Sequence, residues 1–135
     1  MMRLLRSDTI PAREESDILL IRHLVKERAT ELGFGLLDQT RIVTAASELG
    51  RNTLIHGGGG TMVLETFEDN GRRGMRLTFE DKGPGIADLE QAMTNGFTTK
   101  RGLGLGLGGS KRLVNEFEIV SRVDEGTRVT VTRWV

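Results

Sequence analysis

The chain is 135 residues long, the usual size of one domain with a single core. Hydrophobic residues make up 37% and charged residues 28%, with 19 Lys and Arg against 19 Asp and Glu; this is a globular composition that argues against a disordered tail and against bulk attraction to nucleic acid or a membrane surface. There is no cysteine, which removes disulfide frameworks and thiolate metal sites and suits a reducing compartment.

In chain order, residues 3 to 10 are short and mixed enough to predict an edge strand. The start, Met-Met-Arg-Leu-Leu-Arg-Ser-Asp, has no signal-peptide apolar core, and no apolar run approaches a membrane span, so the expected location is cytoplasmic. Pro11 with the acidic Glu14, Glu15 and Asp17 predicts a helix start, and Ile18, Ile21, Leu24, Val25 and Leu32 share its apolar face up to Gly33. Asp38 reads as the N-cap of a second helix with the stripe Ile42, Ala45, Ala46, Leu49 and Thr53, stopped by the glycines from Gly57. Two strands follow near 61 to 68 and 74 to 81, joined by the hairpin dipeptide Asn70-Gly71. A short helical pattern covers Leu89 to Met93, and a third helix is expected from about Gly106 to Asn115. Phe117 to Ser121 and Thr127 to Thr132 read as an antiparallel pair turned at Glu125-Gly126. This order predicts an α+β fold with helices on one face of a mixed, mainly antiparallel sheet, in one domain over residues 1 to 135.

The 18 glycines are clustered at Gly57 to Gly60, at Gly83 with Gly85, and from Gly102 to Gly109. Local glycine needs a local cause, a sharp turn or a close approach. Glu48 and Asn52 lie four apart and share a helix face, with Arg51 beside them. Asn52 can offer an oxygen to Mg²⁺ and Glu48 can orient or deprotonate a hydroxyl; an ordinary solvated face with an Arg-Glu pair is the alternative. Asp81-Lys82-Gly83-Pro84-Gly85 puts a carboxylate at a strand end, where it can accept from an exocyclic amine such as that of adenine while the glycines let backbone pass a flat base. A plain β-turn is its rival. In Lys100-Arg101-Gly102-Leu-Gly104-Leu-Gly106-Leu-Gly108-Gly109-Ser110-Lys111, bare amides alternate with apolar anchors before a helix, which suits a triphosphate. It is neither a P-loop nor a dinucleotide fingerprint, and a flexible linker would look similar. His23 and His56 lack the spacing of a metal site, Asp88 and Glu90 read as caps of the short helix, and the single Trp134 reads as a packing residue or the mark of a contact surface.

Taken together, Glu48-x-x-x-Asn52, Asp81-x-Gly83-x-Gly85, Gly102-x-Gly104-x-Gly106 and Gly126-Thr127 resemble the ATP-binding motifs of the superfamily that unites gyrase, Hsp90, histidine kinases and MutL. The match spans about residues 38 to 132, and the extra domains of the larger members do not fit in this length. Glu48-Leu-Gly-Arg51-Asn52 and the run from Gly102 to Phe117 resemble the RsbT-type switch kinases of the anti-sigma regulatory branch. That resemblance implies a two-layer sandwich of the Bergerat type, ATP and Mg²⁺ as cofactors, and a serine/threonine kinase acting on STAS-domain scaffold or antagonist proteins of a stress-signalling complex. A phosphatase or other effector activated after release is implied too. The alternative is a nucleotide-dependent anti-sigma factor that sequesters its partner with little catalysis. By the same resemblance Asn52 is the Mg²⁺ ligand, Glu48 the catalytic base or hydroxyl-orienting group, and Asp81 the adenine-binding carboxylate. Gly83 and Gly85 line the base pocket, Gly102, Gly104 and Gly106 belong to the ATP lid, Thr127 helps bind adenine, and Lys100 and Arg101 face the γ-phosphate. The sequence departs from the type at Gly108 or Gly109, where proline is expected, and in the glycine-rich run from Gly57 to Gly60.

Overall fold

The computed structural model describes residues 2–93 and 107–135. Strand β1 (Met2–Ala12) leads into helix α1 (Glu15–Leu32) and helix α2 (Leu36–Ile55). Strands β2 (Gly60–Asp69) and β3 (Arg72–Asp81), short helices α3 (Leu89–Ala92) and α4 (Leu107–Arg112), and strands β4 (Glu116–Arg122) and β5 (Gly126–Trp134) follow. The five strands form one sheet in the order β1-β2-β3-β5-β4. All four pairings are antiparallel, so the parallel component that a mixed sheet would have is absent from the described strands.

Alternation decides which face of the sheet is covered. Met62 and Leu64 of β2, Met75, Leu77 and Phe79 of β3, and Val129 and Val131 of β5 form one core with Ile18, Ile21 and Val25 of α1 and Ile42, Ala46 and Leu49 of α2. Leu77 is wholly buried, and truncating such a leucine to alanine costs about 2–5 kcal/mol. The intervening residues, among them Arg76, Thr78, Glu118 and Thr130, point to the uncovered face. There Phe67 is still buried, because Trp134 packs edge-on against it at 5.0 Å and Arg72 caps the indole at 4.6 Å. Trp134 is therefore the packing residue expected of it.

Local chemistry explains the boundaries. Asp17 accepts the backbone N–H groups of Arg13 and Glu14, 3.0 Å each, and so closes the first turn of α1. Gly33 ends that helix at φ 94°, with Gly33 N–H on Thr30 O and Phe34 N–H on Ala29 O, a left-handed stop of the Schellman type. Asp38 is not the N-cap of α2. The N-cap is Gly35, three residues earlier, and Asp38 serves a different end: its Oδ1 accepts from Arg133 of β5 at 2.6 Å and from Arg41 at 3.0 Å. The hairpin at Asn70-Gly71 has positive φ at both residues, 52° and 83°, as a type I′ turn requires. Helix α4 ends at Arg112, shorter than expected, because Leu113 gives its carbonyl to Arg133 and Asn115 already pairs with Thr132. No helix among the described residues is long and apolar enough to cross a membrane.

Candidate functional site

At the C-terminal half of α2, Leu49, Asn52, Thr53 and His56 fall on one face by their three- and four-residue spacing. They form one wall of a cleft with Gly57. Phe79 and Asp81 of β3 and Thr127 and Val129 of β5 form its floor, and Gly85, Ile86 and Leu107 of α4 close the remaining side. The walls are mostly apolar and the polar groups converge from Asn52, Asp81 and Thr127, the usual plan of a small-molecule site. The cavity volume is about 40 Å³, room for a few waters.

Asp81 ends β3 directly opposite Thr127 of β5. Its Oδ1 accepts the backbone N–H of Gly83 at 2.9 Å. Burial pushes its pKa up from the usual carboxylate value, opposed by backbone hydrogen bonds from Gly83 and Thr127 and aided by nearby Glu80. The Thr127 hydroxyl sits 2.7 Å from the Ser121 hydroxyl, which also accepts the backbone N–H of Ile86 at 2.8 Å. One serine thus ties the segment after Asp81 to the β4–β5 hairpin. A second tie runs from Asp124 N–H to Pro84 O at 2.8 Å. Gly85 adopts φ +74°, and a Cβ there would overlap the Arg122 carbonyl. The neighbouring strand by itself requires glycine there.

The structure thus brings Asn52, Asp81, Gly85 and Thr127 together. Gly83 lies outside the lining and acts through its N–H on Asp81. Glu48, half-buried, sits one turn before Asn52 on α2 and also outside the lining. Arg51 donates to Ser47 at 3.4 Å. Lys100, Arg101, Gly102, Gly104 and Gly106 lie outside the described residues. Sequence reasoning missed His56, Gly57 and the apolar lining. For His56 the signal was present, since it falls four residues after Asn52. Asp88 caps α3 through Gln91 N–H at 3.0 Å, as expected, and His23 lies exposed 3.9 Å from Glu27.

No group of three or more His, Cys, Asp or Glu could hold a metal among the described residues. A single amide oxygen, from Asn52, is a sparse donor set. It fits Mg²⁺, which takes one or two protein ligands and completes its shell with water and phosphate oxygens.

Comparison with known proteins gives the family. Residues 37–134 match the model of the histidine kinase-, DNA gyrase B-, and HSP90-like ATPase family. The chain is 46% identical to the serine/threonine-protein kinase RsbT of Bacillus subtilis (strain 168), over 90% of this chain and 91% of that one. It is 32% identical to the anti-sigma F factor of Geobacillus sp. (strain WCH70), over 73% and 70% of the two chains. Among solved structures, one from the SiaB-SiaC complex of Pseudomonas aeruginosa superposes with a TM-score of 0.59 at 14% identity, covering 98% of this chain and 91% of that chain, a likeness of fold. The chain belongs to the histidine kinase-, DNA gyrase B- and HSP90-like ATPase family.

Proposed function

We propose that the cleft between α2, β3 and β5 binds Mg-ATP and that the whole chain works as one protein-serine/threonine kinase domain, with STAS-domain proteins as its substrates. The kinase class follows from the 46% identity to RsbT over nine-tenths of both chains. The observation that carries the site is the half-buried Asp81 carboxylate at the end of an apolar cleft, its Oδ1 engaged by Gly83 N–H. In this reading the carboxylate accepts the adenine amine, Thr127 supports it, and Phe79, Ile86, Leu107 and Val129 cover the flat faces of the base.

Asn52 would hold Mg²⁺ by its amide oxygen. The ion's contribution is to neutralise charge on the phosphates during transfer. Glu48, one turn away, receives the proton of the partner's hydroxyl. The hydroxyl oxygen bonds to the γ-phosphorus as the bond to the β,γ-bridging oxygen breaks, and ADP leaves. Positioning supplies most of the acceleration in such a reaction. Lys100, Arg101 and the glycines Gly102, Gly104 and Gly106 are proposed to meet the phosphates. A release step that frees the chain to activate a phosphatase or other effector, and a cytoplasmic site of action, belong to the same proposal.

The anti-sigma F relatives favour a second reading, in which nucleotide binding controls capture of a partner. Incubation with Mg-ATP and candidate STAS-domain proteins, followed by mass spectrometry, separates the two. A phosphorylated serine or threonine on the STAS protein is expected. Stable capture with no phosphate on any partner would overturn the kinase reading.

A further inference from the structure

The run Gly57 to Gly60 is the one glycine cluster that the ATP-binding motifs leave without a role. Its first member leaves α2 directly over Asp81. A Cβ built on Gly57 would lie 2.6 Å from the Asp81 Cβ and closer still to the carboxyl carbon and Oδ2. From the other side, a Cβ on Gly83 would lie 2.6 Å from the Gly57 carbonyl oxygen and 2.7 Å from its Cα. The backbone at 57 is therefore packed between the Asp81 side chain and the Gly83 main chain, the same Gly83 whose N–H binds Asp81 Oδ1 at 2.9 Å. Gly57 is not among the positive-φ glycines. Its own backbone does not demand glycine, so the approach to Asp81 is what excludes a side chain.

We propose that Gly57 is a positioning and specificity-determining residue for nucleotide binding: its bare Cα forms the wall that, with Gly83, fixes the Asp81 carboxylate toward the base. The proposal rests on the reading of Asp81 as the adenine-binding carboxylate. A methyl group at 57 must displace the whole Asp81 side chain, its Cβ included, against a strand end that Gly126 packs on its other side at the Asp81 carbonyl. Displacing it breaks the bond from Gly83 and moves the acceptor. Adenine presents an amine donor where guanine presents a carbonyl acceptor, so the carboxylate's position sets the choice between them. A displaced carboxylate loses affinity for ATP and discrimination against GTP together.

The test compares wild type, Gly57→Ala, Asp81→Asn and the double variant by calorimetric titration with Mg-ATP and Mg-GTP, with folding checked by circular dichroism. Gly57→Ala is expected to weaken ATP binding about tenfold or more and to narrow the ATP:GTP ratio to that of Asp81→Asn. The double variant is expected to be no worse than Asp81→Asn alone, since both changes remove one interaction. Equal losses for ATP and GTP, with effects that add in the double variant, would mean that Gly57 serves only the fold and would overturn the proposal. Unchanged ATP binding in Gly57→Ala beside a clear loss in Asp81→Asn would overturn it while leaving the base reading intact. Unchanged binding in Asp81→Asn would overturn the base reading, and the proposal with it. Should Gly57→Ala fail to fold, Gly57→Ala/Asp81→Gly must fold, since it removes every Asp81 side-chain atom that the methyl would meet, the Cβ included; failure of that variant too would overturn the proposal.

Discussion

Two aspartates stand at opposite ends of the same helix and strand, and their surroundings have opposite effects. Asp38, in the first turn of α2, is held by Arg133 of β5 and by Arg41, and the Arg133 hydrogen bond chiefly holds its carboxyl below the usual range. Asp81 faces the last turns of α2 beside Thr127 of β5; its partners are backbone amides, and burial pushes its carboxyl up. The first carboxylate joins helix to sheet through its Oδ1. The second is kept partly desolvated with acceptor capacity to spare, which costs stability and prepares it to meet a donor. The architecture and the site are thus separated along α2, from Asp38 in its first turn to Asn52 and His56 at its end.

The comparison breaks most severely at the catalytic end. Glu48→Ala is expected to retain ATP but to lower phosphoryl transfer by about a hundredfold or more, whereas Asn52→Ala should sharply reduce Mg²⁺-dependent nucleotide binding. Filter binding and a phosphorylation time course on both variants check this division. Identical loss of nucleotide binding in both would show that the two residues share one role.

Next in size is Asp81→Asn. Losing the charged acceptor should cost about 1.5–3 kcal/mol of ATP binding. Stability should hold or rise slightly in the same variant. The folded pKa of Asp81 lies above its unfolded value, so the ionised form opposes folding at neutral pH and that penalty fades as pH falls through the folded pKa. A melting curve of Asp81→Asn well below wild type would contradict this.

A smaller effect follows from the same shift. An adenine amine favours the ionised carboxylate, so ATP affinity should be full above the raised pKa of Asp81 and decline as pH falls through it, beginning above the ordinary carboxylate value of 3.8. Calorimetry across acidic pH should show this decline in wild type and its loss in Asp81→Asn.

Smallest is the architectural carboxylate. Asp38→Asn should lower stability by roughly 0.5–1 kcal/mol, because the pair is partly exposed and screened, a shift of a few degrees in Tm. Its folded pKa is depressed, so this contribution is present above the unfolded pKa and lost as pH falls through the folded one. Denaturant unfolding at neutral and acidic pH checks both the size and the sign.

The strands were legible because each position carries its own evidence: Met75, Leu77 and Phe79 alternate with polar residues, and Asn70-Gly71 suits only a tight turn. Asn52, Asp81, Gly85 and Thr127 were legible as a resemblance of spacing, and the fold brings them to one cleft. Asp38 was misread because an aspartate before an apolar stripe looks like an N-cap, while its actual partner, Arg133, lies 95 residues away. Gly57 to Gly60 stayed opaque for a related reason. Their composition called for a sharp turn or a close approach without saying to what: Gly57 is excluded from carrying a side chain by Asp81 and Gly60 by the Glu80 backbone. Close approaches between distant segments leave no local pattern.

The most direct test of the division between the two aspartates is a parallel calorimetric titration of Mg-ATP into Asp81→Asn and Asp38→Asn at neutral pH. Asp81→Asn is predicted to bind at least about tenfold more weakly than wild type, and Asp38→Asn to bind as wild type does while melting earlier. Equal affinities in the two variants, or a loss confined to Asp38→Asn, would contradict the assignment of the nucleotide site to Asp81.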